Sequence, residues 1–241
     1  MKFKPTYTKK DVEVLADECL YKGFFEMRKL TLKHKKFNGE WSQPMTREMM
    51  VRNDAVCVLL FDPVADKVLL IEQFRPAVLR SESPWLLELV AGMVEEGESD
   101  EDVVRRESFE EAGVTVKRLE YMFKFVPSPG GLVEYLRMYA GEFDSSLVDT
   151  TKVHGLDDEN EDIKLHLVSS DDAIELLKND VENASTIMGL QWFALNKNDL
   201  VKPTIPEKPA EPAIMSPLDS SPVQPILNSS SGKIISKEQI E

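Results

Sequence analysis

Two nearly continuous apolar runs, Ala55–Phe61 and Val68–Phe74, flank the turn-forming segment DPVAD. Runs of this length bounded by a turn predict neighbouring strands buried on both faces. Upstream, the stretch from Phe24 to Phe37 is rich in β-formers and ends at Asn38-Gly39, a strong short hairpin signal. Trp85–Val90, Leu132–Phe143 and Ile163–Val168 read as further strands. Helical signals are fewer. Ser99 and Asp102 form an N-cap pair ahead of a helix that runs to Ala112 and stops at Gly113. Ser170–Lys178 and Ala184–Leu195 are the other predicted helices. Strands with helices inserted at intervals predict a mixed α/β or α+β domain, and periodicity alone takes the fold no further.

Composition sharpens the boundaries. From Lys202 onward the chain holds seven of its 14 prolines and no aromatic residue, which predicts a disordered Pro/Ser-rich tail over residues 202–241. Lys and Arg total 29 against 43 Asp and Glu, a net charge of −14, the wrong sign for a protein whose main partner is nucleic acid. Cys19 and Cys57 stand far apart, which excludes a disulfide scaffold or a zinc ribbon and fits a reducing compartment. Neither a Walker A loop nor an HExxH motif is present. No apolar run approaches membrane-spanning length, so the expectation is a soluble, cytoplasmic protein.

The chemistry is concentrated in AGMVEEGESDEDVVRRESFEEAGV, residues 91–114. On the predicted helix, Glu107, Glu110 and Glu111 stand at i, i+3 and i+4 and share one face. Two such charges about 6 Å apart repel by roughly 3 kcal/mol at an effective dielectric near 20. Water or a cation must relieve that repulsion, and a solvated face is the ordinary solution. Three features favour a cation here. Gly92 and Gly97 let backbone approach a ligand closely. Arg105 or Arg106 can pair with Glu98 and lock the loop to the helix. Clustered carboxylates and carbonyls are the hard oxygen ligands preferred by Mg2+ or Mn2+.

Gly92, Glu98, Arg106, Glu107, Glu110, Glu111, Gly113 and Val114 together resemble the Nudix box, Gx5Ex7REUxEExGU with U apolar. Ser108 departs from it, standing where the family has an aliphatic residue. A hydroxyl there can bond back to the carbonyl four residues earlier, so the expectation is a local packing cost and no loss of ligands. The resemblance extends over residues 12–195 and is to the bacterial ADP-ribose pyrophosphatases among the Nudix hydrolases. It is carried by LYKGFFEMRK, EQFRPA, PWLLELVAGMVEEGES, SPGG, HGLDDENEDI and NASTIMGLQWFAL. Pro129, fifteen residues beyond the box, matches the proline that marks ADP-ribose specificity in that family, whereas the SQPWPFPxS signature of NADH pyrophosphatases is missing.

The resemblance implies a Nudix α/β/α sandwich of mixed sheets. An N-terminal strand region (residues 1–52) would serve dimerisation, followed by a hydrolase domain over 53–201. It implies Mg2+, with Mn2+ as an alternative, held by the Ala91 carbonyl, Glu107, Glu111 and Glu161. Glu110 would assist through water, Glu98 and Arg106 would support the loop, and Glu159 would be the general base, delivered by a mobile loop. The substrate implied is ADP-ribose, contacted by Phe24, Phe25, Arg47, Arg52, Arg75, Met93, Ser128, Gly130 and Glu134, partly across a homodimer interface. Residue chemistry agrees: phenylalanines offer stacking faces, arginines neutralise phosphate or stack on a base, and Ser128-Pro129-Gly130-Gly131 is a turn that can hug a ligand. Another nucleotide sugar or dinucleotide as substrate, or a non-catalytic ADP-ribose sensor, are the alternatives.

Overall fold

The two central strands part company halfway along, and the site grows from that opening. In the computed structural model, which describes residues 2–156 and 160–200, β4 (Ala55–Asp62) and β5 (Lys67–Phe74) pair only next to their connecting turn, at Leu60–Asp62 with Lys67–Leu69. Beyond it they diverge. The gap is filled by β6 (Trp85–Glu88), which pairs with β5, and β7 (Val90–Met93), which pairs with β4. The single predicted strand Trp85–Val90 is therefore two, bent at Leu89 because each half follows a different neighbour.

The eight-stranded sheet is completed by β8 (Leu119–Phe125), β10 (Leu136–Glu142), β11 (Val153–His154) and β12 (Ile163–Ser169), in the order β11-β12-β5-β4-β10-β8. Among the described residues only β4 and β10 run parallel within it. Every residue of β4 is buried, as its continuous apolar run predicts. Alternate residues serve different cores. Val56, Val58 and Leu60 join Val103, Val104 and Ala112 of helix α1 (Asp100–Ala112) on one face. Cys57, Leu59 and Phe61 join Leu190 and Phe193 of helix α3 (Ala184–Leu200) on the other. This is the α/β/α layering expected. Helix α2 (Ser170–Glu175) is shorter than predicted, because residues 176–178 tighten into a 3-10 turn. Helix α3 runs five residues past its predicted end at Leu195.

A second sheet has the order β1-β2-β3-β9, with β1 (Val12–Lys22), β2 (Glu26–His34), β3 (Met45–Val51) and β9 (Leu132–Val133). The predicted strand Leu132–Phe143 thus divides between the two sheets. Its first residues pair with β3, and the rest pairs with β4 and β8. The Asn38-Gly39 turn forms, with Gly39 at φ +89° and a bridge between Lys35 and Trp41. Strands β1 and β3 fall in the N-terminal strand region that the resemblance implies, whereas the apolar pattern marks no strand at β8 or β11. In β1 the pairing register slips between Val14 and Ala16 and again between Cys19 and Tyr21. Each slip breaks the two-residue alternation by which a strand is read. The predicted tail, 202–241, and the predicted base, Glu159, lie outside the described residues.

Candidate active site

Strand β7 delivers the chain to the site, and glycine decides how closely the helix can follow. A β-carbon on Gly92 would stand 2.0 Å from Glu107 Oε1 and 2.2 Å from Glu107 Cγ. The Glu107 side chain therefore lies directly on the Gly92 backbone. One residue earlier, Ala91 N–H donates to Glu111 Oε2 at 3.2 Å. The intervening loop turns at Gly97, φ +90°, a conformation that favours glycine. Helix α1 then starts as predicted, with Ser99 Oγ accepting from Asp102 N at 3.2 Å, and ends at Gly113 with φ +64°.

Arg106 ties the loop to the helix. Its Nε and Nη2 reach the Glu98 carboxylate at 3.1 and 3.3 Å, while Nη1 reaches Glu107 at 2.8 Å and Glu110 at 3.1 Å. Glu98 in turn accepts from Glu95 N at 3.0 Å. Arg105 plays no part in this network and donates instead to the Val116 carbonyl. Ser108 is fully buried and its Oγ donates to the Val104 carbonyl at 2.7 Å, the back-bond open to a hydroxyl in that place.

Burial controls the electrostatics. Desolvation pushes the Glu107 carboxyl up to about 7, with Arg106 opposing and Glu110 and Glu161 reinforcing the rise. Glu111, 3% exposed, is held well above the usual carboxylate range by burial, with the Ala91 amide opposing and the charges of Glu107 and Glu161 adding to it. Glu161 thus belongs to the same electrostatic cluster as the two helical glutamates. Among the described residues no three carboxylate, imidazole or thiol groups converge at metal-ligand range. Glu107 is engaged by Arg106 and Glu111 by the Ala91 amide. The donor chemistry nevertheless fits a divalent cation: two desolvated carboxylates, a third nearby, and a backbone cradle at Gly92 that a β-carbon would fill.

The residues expected to contact substrate fall into two groups. Arg75 adjoins the carboxylates. It pairs with the buried Glu88 at 2.7 Å, and its charge opposes the rise at Glu111. The second group lies where the two sheets meet. Arg52 stands 5.6 Å from the Phe25 ring centroid and 3.1 Å from Glu134, a buried carboxylate whose pKa is raised by desolvation and opposed by Arg52. The Ser128–Gly131 turn forms, with Ser128 O accepting from Gly131 N at 3.1 Å and Gly131 O accepting from Met50 N of β3 at 2.8 Å. Met93 ends β7 opposite Ala55, half-buried.

Other placements differ from the sequence reading. Phe24 and Phe25 lie in the turn between β1 and β2 and not on a strand. Their rings meet edge-on at 4.9 Å, and Phe24 is 76% exposed, so neither sits in the core. Arg47 is exposed on β3, donating to its neighbour Thr46's carbonyl, and is not gathered with the rest. Two networks carried no sequence signal. Arg137 joins Asp54 at 2.8 Å to Asp100 at 2.6 Å, anchoring the start of α1. Glu88 accepts from Asn183, whose Oδ1 caps Thr186 N at 3.1 Å at the start of α3. Ordinary charged residues far apart in sequence announce nothing until they fold together.

Comparison with known proteins is consistent with this geometry. A NUDIX domain model matches residues 51–204. An ADP-ribose pyrophosphatase of Escherichia coli (strain K12) is 47% identical over 197 residues, covering 81% of this chain and 93% of that protein. One from Haemophilus influenzae is 44% identical, covering 79% and 89%. A GDP-mannose pyrophosphatase of Pectobacterium atrosepticum is 32% identical, covering 76% and 97%. The crystal structure of an ADP compounds hydrolase superposes with a TM-score of 0.62 at 19% identity, covering 80% of this chain and 98% of that one.

Proposed function

The chain belongs to the Nudix family, whose domain model spans its residues 51–204, and from that membership we propose that it is a divalent-cation-dependent hydrolase that splits ADP-ribose into AMP and ribose 5-phosphate. The observation that carries the proposal is the pair of desolvated glutamates, the half-buried Glu107 and the buried Glu111, packed on the Ala91–Gly92 backbone. ADP-ribose is favoured over GDP-mannose because relatives named for the former are 44–47% identical and those named for the latter 30–32%.

In this scheme the Ala91 carbonyl, Glu107, Glu111 and Glu161 hold Mg2+, with Mn2+ as a substitute. Bound there, the cation supplies charge neutralisation at the diphosphate oxygens. Arg75 orients the diphosphate beside the carboxylates. Arg52, stacked on Phe25 and backed by Glu134, presents a cation–aromatic surface for the nucleotide. Phe24, Met93, Ser128 and Gly130 complete the substrate contacts. Glu159 takes the proton of the attacking water as the new P–O bond forms and the bridging P–O bond breaks, its electron pair leaving with the departing phosphate. Arg106 keeps Glu98, Glu107 and Glu110 in register.

The active form is proposed to be a homodimer built on residues 1–52, with 53–201 as the catalytic domain and 202–241 as a tail. That first region carries 12 Lys and Arg against seven Asp and Glu, while the remainder carries 17 against 36. The β1–β2 unit exposes Val14, Leu15, Leu20, Tyr21 and Phe24. A positively charged sheet with bare apolar side chains complements the acidic domain of a second copy, and Arg47 would reach substrate from there. No helix among the described residues is long and apolar enough to cross a membrane. Cys19 and Cys57 are both unpaired, in keeping with a cytoplasmic setting.

A substrate panel tests the assignment. With Mg2+ and 18O water, ADP-ribose should give AMP and ribose 5-phosphate with label in one product, at a kcat/KM above that for GDP-mannose. A reversed preference would make the enzyme a nucleotide-sugar hydrolase of another class. Binding of ADP-ribose without cleavage would make it a sensor.

A further inference from the structure

The last turn of α1 is completed by a distant part of the chain. A helix leaves its final carbonyls without intrahelical donors. Here Gly113 N donates to Phe109 O at 2.8 Å and Val114 N to Ser108 O at 3.0 Å, but the Glu110 carbonyl is taken by Gly155 N at 3.3 Å. Gly155 directly follows β11. The preceding His154 lies over the helix end, with its Cε1 3.0 Å and its Nδ1 3.5 Å from where a Gly113 β-carbon would stand. Among the described residues His154 Nε2 is buried without a hydrogen-bond partner, so ring packing, and not a bond from that nitrogen, seats the imidazole.

The other side of Gly155 faces Glu161. Gly155 adopts φ +98°, and a β-carbon there would stand 2.6 Å from Glu161 Cβ and 3.1 Å from its carbonyl carbon. Glu161 N donates to Leu156 O at 3.2 Å, and Leu156 N reaches Glu161 Oε2 at 3.4 Å. One glycine therefore separates the Glu110 carbonyl from the stem of Glu161. Glu107, Glu110 and Glu111 ride on the same rigid helix, so the Gly155 hydrogen bond and its van der Waals contact with Glu161 tie Glu161 to them, beside the bonds to Leu156 and the pairing of His154 with Ile163.

We propose that His154 and Gly155 are positioning residues that hold the Glu161 carboxylate against the Glu107–Glu111 pair by closing the C-terminal turn of α1. This rests on the cation-binding role proposed above for those three glutamates. The imidazole acts as a spacer on Gly113, and Gly155 is required because any side chain would push Glu161 away.

Mn2+ titration of the full chain, followed by paramagnetic resonance of the free ion, reads this directly. Outer-shell partners of metal ligands typically contribute about 10–100-fold in affinity. Gly155→Ala and His154→Ala should each weaken Mn2+ binding by about tenfold or more and lower kcat with KM for ADP-ribose unchanged. His154→Phe keeps the ring and should restore Mn2+ affinity to near that of the wild type. Wild-type Mn2+ affinity in Gly155→Ala overturns the proposal, as does equal loss in His154→Phe and His154→Ala. A fall in metal-free melting temperature with unchanged Mn2+ affinity likewise overturns it, making the contact merely structural. If Gly155→Ala does not fold, the two His154 variants decide the matter. A wild type that binds Mn2+ but cleaves another compound refutes only the substrate assignment, and one that binds no Mn2+ refutes both.

Discussion

Gly92 and Glu107 are in such close register that only a hydrogen on the glycine leaves room for the glutamate. The would-be β-carbon falls 2.0 Å from Oε1, far inside any non-bonded contact. Strand β7 and helix α1 are thereby fixed to each other at the point where the chemistry is proposed. Gly92→Ala should move Glu107 by about 1 Å, and displacements of that size can cost ~100-fold in rate. The expected result is a kcat loss of that order with KM for ADP-ribose nearly unchanged, measured by AMP release at saturating Mg2+.

Glu107 also predicts a pH dependence of stability. Burial raises its pKa from 4.5 in the unfolded chain to about 7 in the fold. Below pH 4.5 both states are protonated and the residue costs nothing. Through the interval up to about 7 the folded state holds the extra proton, so stability falls as pH rises, and above it the full cost applies. That cost is at most about 3 kcal/mol, reduced by partial exposure beside Arg106. Urea unfolding in EDTA should show Glu107→Gln gaining stability over wild type from pH 5 to 8. Saturating Mg2+ should narrow the gap by stabilising wild type selectively. Equal pH profiles for the two proteins would mean that Glu107 is not desolvated in solution.

Arg106 supports three carboxylates at once through the fork of its guanidinium. Arg106→Lys keeps the charge and loses the fork, so the loop bearing Glu98 should loosen. A stability loss of roughly 1–2 kcal/mol is expected, modest because the side chain is 35% exposed. Amide hydrogen exchange should localise the change to residues 95–98. Exchange that quickens elsewhere and not there would place the function of Arg106 outside the loop.

For Glu159→Gln the expected outcome is a kcat decrease of about 10²–10⁴-fold, the usual contribution of a general base. Affinity for ADP-ribose and for Mn2+ should hold within a factor of two. Equilibrium binding beside single-turnover kinetics separates the two quantities. Unchanged turnover would assign the proton to another acceptor.

The local structure of the proposed centre was legible because local rules govern it. Ser99, Gly97, Gly113 and the glutamate spacing act within one turn of helix or loop, so their consequences follow from sequence distance alone. The buried runs Ala55–Phe61 of β4 and Val68–Ile71 of β5 were equally plain, since no polar residue interrupts either. By contrast β1 is exposed along its whole length and twice slips register, which erases the alternation that would reveal it. The splits at Leu89 and between β9 and β10 are choices of partner strand, and no window of sequence contains the partner.

By itself, then, the order of residues determined a carboxylate helix, its capped ends, the turn that feeds it and the apolar strands beneath it. Folding alone decided that Glu107 rests on Gly92, that Arg75 meets Glu88, that Arg52 lies between Phe25 and Glu134, and that Gly155 brings Glu161 to α1. The division has one physical cause. Helix caps, turns and burial periods depend on neighbours a few residues away, whereas desolvation and charge pairing depend on whichever surfaces the packed sheets bring together.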